Sequence, residues 1–172
     1  MKASGYQKAQ VAHPMIRSIV SGGQTGVDRA ALDAALALGL SCGGWCPRGR
    51  LAEDGPIPAL YPLKETPSED YAQRTEWNVR DSDGTLVLAY GRPGGGTAFT
   101  VEIARRMRKN LLVLDLSHIC EPGSVVEWTE KHGIETLNVA GPRESQKPGI
   151  YSQALRFMLK ALGPGHTDIA GQ

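Results

Sequence analysis

The alternation of apolar runs with longer stretches of helical period predicts the elements of this chain. The run Ile16-Arg17-Ser18-Ile19-Val20 is rich in β-branched residues and ends in Ser21-Gly22-Gly23-Gln24-Thr25-Gly26. An Ala/Leu-rich segment from Val27 to Leu38 follows, and Gly39 stands where a helix C-cap glycine belongs. Strand, glycine loop and helix are predicted in that order. Thr85–Tyr90 and Leu111–Leu116 read as buried strands and Thr136–Ala140 as a further one. Helices are predicted over 68–81, 97–109, 123–132 and 149–162, the first capped by Ser68 with Glu69 and Asp70 in its first turn. From Leu40 to Thr66 no period is visible. Pro47, Pro56, Pro58 and Pro62 fall inside that stretch and Pro67 just beyond it. It reads as an irregular surface excursion, of a length usually functional or mobile.

Strands that alternate with helices, continuously apolar where they should be central, predict an α/β fold with a parallel sheet and helices on both faces. The 172 residues suit one domain, placed at residues 15–163 between an N-terminal tail (1–14) and a C-terminal tail (164–172). No apolar stretch approaches the roughly 20 residues that cross a bilayer, and the N-terminus lacks a signal-peptide core. A soluble, cytoplasmic protein is expected. The formal net charge is +1, which offers no basic field for nucleic acid. Cys42, Cys46 and Cys120 are too few and unevenly spaced for a disulfide framework or a zinc site. His13, His118, His132 and His166 show no metal spacing, so no structural metal is expected.

Glycine changes the picture more. The chain has 21 in 172 residues, about 12% against a usual share near 7%. Eight of them fall in three strand-to-helix junctions: Gly22, Gly23 and Gly26; Gly91, Gly94, Gly95 and Gly96; and Gly141. In a parallel sheet such junctions share the carboxyl edge, where ligands bind, and helix N-termini there attract anions. The excess is therefore expected to mark a single phosphate-binding edge. The first loop is neither G-x-G-x-x-G nor a P-loop, which speaks against P-loop hydrolysis.

Several of these segments carry a resemblance as a set. They are Ser21–Asp28, Gly44-Trp45-Cys46-Pro47-Arg48-Gly49-Arg50, Ala52-Glu53-Asp54-Gly55, Arg74–Val79, Ser82-Asp83-Gly84-Thr85, Gly94-Gly95-Gly96-Thr97 and Asn138–Ser145. Together they resemble the molybdenum carrier family, also described as the circularly permuted YpsA-like branch of the SLOG superfamily. The resemblance covers roughly residues 16–162. It implies a Rossmann-like three-layer sandwich, a nucleotide or nucleotide-derived ligand such as the molybdenum cofactor, and a homo-oligomer, dimer or tetramer. It also points to relatives, the LOG phosphoribohydrolases, that cleave the N-glycosidic bond of nucleoside monophosphates. Their motif P-G-G-x-G-T-x-x-E is broken here: Pro93-Gly94-Gly95-Gly96-Thr97 is one residue short, and Thr100 stands where Glu is needed. Glu102, five residues after Thr97, lies about 140° further round the helix than Thr97 and so points to a different side.

The expected ligand-binding set is Gly22, Gly23, Gln24, Thr25, Gly26, Arg48, Arg74, Asn78, Gly94, Gly95, Gly96, Thr97, Thr100, Gly141 and Arg143. Tyr71, Arg74, Thr75 and Asn78 share one helix face, which is either a binding face or ordinary surface. Arg48 and Arg50 either close over an anion or are solvated loop charges. Asp28 either stabilises its helix or meets a cation or ribose hydroxyl. The residues thus favour a binding protein or carrier for a phosphorylated small molecule, molybdate included. The alternatives are a phosphoribohydrolase, with Glu102 and Arg74 as its catalytic candidates, and a nucleotide-sensing regulatory protein.

Overall fold

The computed structural model of the protein describes residues 16–164. The expected tails, with His13 and His166, lie almost wholly outside them. In chain order the elements are β1 (Ser18–Val20), α1 (Val27–Leu38), β2 (Ser41–Gly43), β3 (Trp45–Cys46), β4 (Leu51–Ala52), β5 (Gly55–Pro56), β6 (Lys64–Glu65) and α2 (Tyr71–Arg80). They continue as β7 (Gly84–Ala89), α3 (Gly95–Arg106), β8 (Asn110–Asp115), α4 (Gly123–His132), β9 (Thr136–Ala140) and α5 (Ile150–Leu162).

Five strands form one sheet in the order β2-β1-β9-β7-β8, every pair parallel. The fold is the expected α/β sandwich. Strand β7 shows why it has three layers, because its side chains alternate between two apolar clusters. Leu86 and Leu88 pack with α1 and α5, whose Ala30, Ala31, Ala34 and Ala35 let α1 lie close to the sheet. Val87 and Ala89 face Val101 of α3, and α2 joins α3 on that side through Val79, Ile103 and Ala104. The last strand, β9, is inserted between β1 and β7. That position makes the loops after β1, β7 and β9 neighbours at one edge of the sheet.

The stretch from Leu40 to Thr66 is not the irregular excursion its sequence predicts. It opens with β2, an edge strand of the main sheet, and then forms a parallel pair β3–β6 and an antiparallel pair β4–β5. Cys46, Ile57, Tyr61 and Leu63 are buried and close a second apolar cluster with Leu32 of α1. Arg50 ties the path together: its guanidinium donates to the carbonyls of Ile57, Pro58, Tyr61 and Leu63. Arg50 is thus neither a closing arm nor a solvated charge. These contacts are long in sequence and leave no local period to read.

Two helix starts also differ. The cap of α2 is Asp70, whose carboxylate accepts from Ala72 N–H, while Ser68 Oγ accepts from Asp70 N–H one turn earlier. Helix α3 begins at Gly95 rather than Thr97. The glycine triplet therefore belongs partly to the helix.

Asp33 of α1 accepts hydrogen bonds from the hydroxyls of Tyr61 and Tyr151, joining the excursion and α5 to one helix. Burial, and then the Asp33 carboxylate, push the Tyr151 hydroxyl up to about 12 and raise that of Tyr61 as well. A raised folded-state pKa contributes stability that is complete below the ordinary tyrosine value near 10 and is lost as the pH climbs through the folded value. The melting temperature should accordingly fall between pH 10 and 12, and less steeply in Tyr151→Phe. Ile57, only 2% exposed, tests the second cluster. Ile57→Ala should lose about 2–5 kcal/mol in urea unfolding, against at most about 0.5 kcal/mol for a residue in a surface loop.

Candidate functional site

A cavity of about 190 Å³ opens at the carboxyl edge of the sheet, walled by the loop after β1, by α2, by the start of α3 and by the loop after β9. Of the residues singled out from sequence, Gly22, Gln24, Arg74 and Asn78 line one side. Gly95, Gly96, Thr97 and Thr100 line a second, and Gly141 and Arg143 a third. The cavity sits where β9 separates β1 from β7.

The helix N-termini around the cavity differ in one decisive respect. At α1, Val27 N–H already donates to Pro142 O, and the Asp28 carboxylate lies in the first turn. At α5, the Glu144 carboxylate accepts from the N–H groups of Gly149 and Tyr151. At α2, Asp70 does the same for Ala72. Only α3 among these four has neither a side-chain cap nor an acidic residue in its first turn. Thr97 N–H is taken by Gly94 O, but the N–H groups of Gly95 and Gly96, which line the cavity at the positive end of the helix dipole, have no partner among the described residues. Burial divides the glycines in the same way. Gly22, Gly23 and Gly26 are buried, whereas Gly94, Gly95 and Gly96 are exposed, and side chains at Gly94 and Gly96 would meet nothing within 4 Å.

The glycine surplus therefore does not mark one anion-binding edge. At Gly22 a Cβ would fall 1.3 Å from Arg74 Nη1, so that glycine makes room for a guanidinium. At Gly26 it would lie 2.4 Å from Pro142 O, and at Gly141 2.4 Å from Leu88 O, so those two let backbones approach each other. Close packing takes the first and third loops, and only the second is left open for a ligand.

Arg74 enters through the space Gly22 provides and donates from Nη1 to Asp28 Oδ2 at 2.8 Å, the two side chains being 13% and 6% exposed. Asp28 also accepts from Gln24 N–H. Gln24 itself is 5% exposed and accepts at Oε1 from the N–H groups of Thr25 and Glu53. Its Nε2 and the Nε of Arg74 are buried donors without a partner. Above them the Tyr71 ring lies between two guanidinium carbons, Arg74 at 5.4 Å and Arg143 at 5.5 Å from its centroid. Arg143 is steadied by Glu53, 3.9 Å from its Nη1, which also accepts from Thr25 and Ser145.

The other sequence-predicted residues lie elsewhere. Asn78 reaches the wall, but its amide is committed to the backbone N–H and carbonyl of Trp45 and so holds β3 against α2. Gly23 faces Leu63 and Ile57 of the second apolar cluster. Thr25 and Gly26 border a separate, wider hollow on the other side of their loop. Gly94 borders a shallower cavity of about 340 Å³ that shares Gly95, Thr97 and Gln146 with the main one. Arg48 is exposed and paired with Glu69, outside the cavity. Glu102 faces outward beside Arg105 and Arg106 and cannot meet a ligand bound among the glycines. Of the two catalytic candidates only Arg74 is at the site, and its charge is already paired.

Sequence reasoning missed Phe99, Gln146 and Asn138, which also line the cavity. Asn138 carried a legible signal, a polar residue inside an apolar strand. It is 3% exposed, and its Nδ2 donates to Thr85 Oγ1 on the neighbouring strand. Phe99 and Gln146 carried none, since an aromatic on a helix and a glutamine in a loop are ordinary. No group of three or more His, Cys, Asp or Glu that could hold a metal ion occurs among the described residues.

An α/β sandwich of parallel strands, with this cavity at the edge where the last strand lies between β1 and β7, defines a Rossmann-like fold. The description "Circularly permutated YpsA SLOG family" matches residues 19–162, and the chain belongs to that family. It is similar to a solved structure from Syntrophus aciditrophicus SB, named there a "Putative molybdenum carrier protein". The two are 45% identical with a TM-score of 0.83, over 87% of this chain and 96% of the other. No curated protein matches the chain.

The Arg74–Asp28 pair yields a direct test. Asp28→Ala leaves a buried guanidinium unpaired and should cost about 3–5 kcal/mol in denaturant unfolding. Replacing both residues by apolar ones, Asp28→Leu with Arg74→Met, should recover a substantial part of that loss.

Proposed function

We propose that the protein binds and carries a phosphorylated, nucleotide-like small molecule, with its phosphate at the N-terminus of α3. The carrying observation is that the Gly95 and Gly96 N–H groups at this terminus have no partner among the described residues, while carboxylates or a carbonyl meet the first N–H groups of α1, α2 and α5. A phosphate there gains backbone N–H donors, a favourable dipole and, from Gly95 and Gly96, an unobstructed approach. Arg143 and Lys147 supply nearby positive charge in the main and the shallower cavity.

The name of the relative suggests a molybdenum-related cargo, of which the molybdenum cofactor, bearing a phosphate, suits this reading. Molybdate alone is a smaller oxyanion that would use only the α3 end. Carriage is favoured over N-glycosidic hydrolysis because the one carboxylate lining the cavity, Asp28, is held by Arg74 and Gln24. A group that stabilises a developing ribosyl cation needs a carboxylate free to face it.

Calorimetry against inorganic phosphate, molybdate and the nucleoside 5′-monophosphates tests the reading, with binding expected for inorganic phosphate and at least one nucleotide. Gly96→Asp sharpens it, because a carboxylate in the first turn of α3 occupies the anion's place. The variant should lose phosphate binding yet melt no lower than the parent, a first-turn carboxylate being worth about 0.3–1 kcal/mol to a helix. Phosphate binding unchanged in Gly96→Asp would overturn the placement.

A further inference from the structure

The cavity has a second end, and its chemistry differs from the first. Gln24 cannot turn its amide round: Oε1 accepts from both Thr25 N–H and Glu53 N–H, and a flip would set Nε2 against those two donors. Nε2 is therefore fixed as a donor, buried and unpartnered, as is Arg74 Nε, and both residues line the cavity. A buried donor left without a partner is costly, and nearly all such groups in folded proteins find one. Charge at this end is already balanced, since Asp28 neutralises Arg74 at 2.8 Å and Arg143, on the same Tyr71 ring, is paired with Glu53 at 3.9 Å. Two donors with no net charge suit a neutral acceptor and give a second anion little. The rings of Tyr71, on α2, and Phe99, on α3, line the same cavity.

Resting on the phosphate placement above, we infer that Gln24 is a specificity-determining residue. It reads a neutral acceptor, a carbonyl oxygen or ring nitrogen, on a planar heterocycle whose phosphate lies at α3. The site is then polar in direction: anionic at the glycine triplet, neutral and donor-lined at Gln24 and Arg74, with the two aromatic rings in the same cavity. A ligand with a phosphate at both ends leaves the inner one without a counter-charge and binds no better than one with a single phosphate.

Calorimetry with inorganic phosphate, ribose 5-phosphate and the four nucleoside 5′-monophosphates tests the inference on the parent protein and on two variants. Gln24→Glu keeps the acceptor and the shape while replacing the donor. Gln24→Met keeps the length and removes both functions. The parent should bind at least one nucleoside monophosphate about tenfold or more tightly than ribose 5-phosphate, as one hydrogen bond to a buried group allows. In Gln24→Met that advantage should vanish while affinity for inorganic phosphate changes less than twofold, with thermal melting and circular dichroism showing a folded protein. Gln24→Glu should behave alike above the pH at which its carboxyl ionises and recover nucleotide binding below it, where a protonated carboxyl donates again.

A folded Gln24→Met variant that keeps the preference overturns the role of Gln24 and leaves the phosphate site intact. So does a parent protein that binds ribose 5-phosphate as tightly as every nucleotide. Absence of binding to inorganic phosphate and to every nucleotide overturns the phosphate placement itself, and this inference with it.

Discussion

The buried ion pair between Arg74 and Asp28 is the contact on which the rest of the site depends. It joins α2 to the first turn of α1 across the backbone of Gly22, which has no Cβ because the guanidinium occupies that volume. Two desolvated charges stabilise a protein only when geometry and additional hydrogen bonds offset the loss of water. Here Asp28 takes a second donor from Gln24 N–H. The same arrangement holds the Gln24 backbone, sets Arg74 against the Tyr71 ring and neutralises the floor of the cavity. An arginine that the sequence places in the expected ligand-binding set is thereby a wall, and anion chemistry is left to the opposite side.

That opposite side is defined by contrast with its neighbours. The helices around the cavity start with the same unsatisfied N–H groups, and at three of the four the chain provides its own partner: the Pro142 carbonyl, Asp70 or Glu144. The fourth, α3, starts with glycines and threonine, and although Gly94 O takes the Thr97 N–H, nothing among the described residues takes those of Gly95 and Gly96. With β9 between β1 and β7, the loop after β9 reaches back over α1 and places Pro142 on its first N–H. One ligand edge in the sequence becomes one ligand terminus in the fold.

Much of the site was legible. Gln24, Arg74, Thr97, Thr100 and Arg143 all reach the cavity, because the glycine loops flag strand-to-helix junctions and a parallel sheet puts such junctions on one edge. Arg48 and Glu102 failed for a directional reason. A residue's position in a loop or helix says that it is near an edge, while its outward or inward aim is decided by what packs against it. Asn78 reached the wall but is committed to Trp45, and the excursion from Leu40 to Thr66 looked irregular because its partners, Leu32 among them, are distant in sequence. Local period cannot report a core built from long-range contacts.

The sequence by itself determined the element types, the parallel sheet, the three junctions and the family, since these follow from period, from β-branched runs and from glycine between strand and helix. Only the tertiary structure decided what each glycine is for. Gly22, Gly26 and Gly141 exclude a side chain because a guanidinium or a backbone carbonyl fills its place, whereas Gly94 and Gly96 leave that place empty. A glycine looks the same in sequence whether it makes room for the protein or for a ligand. The difference lies in which atoms the fold brings within 4 Å of the missing Cβ.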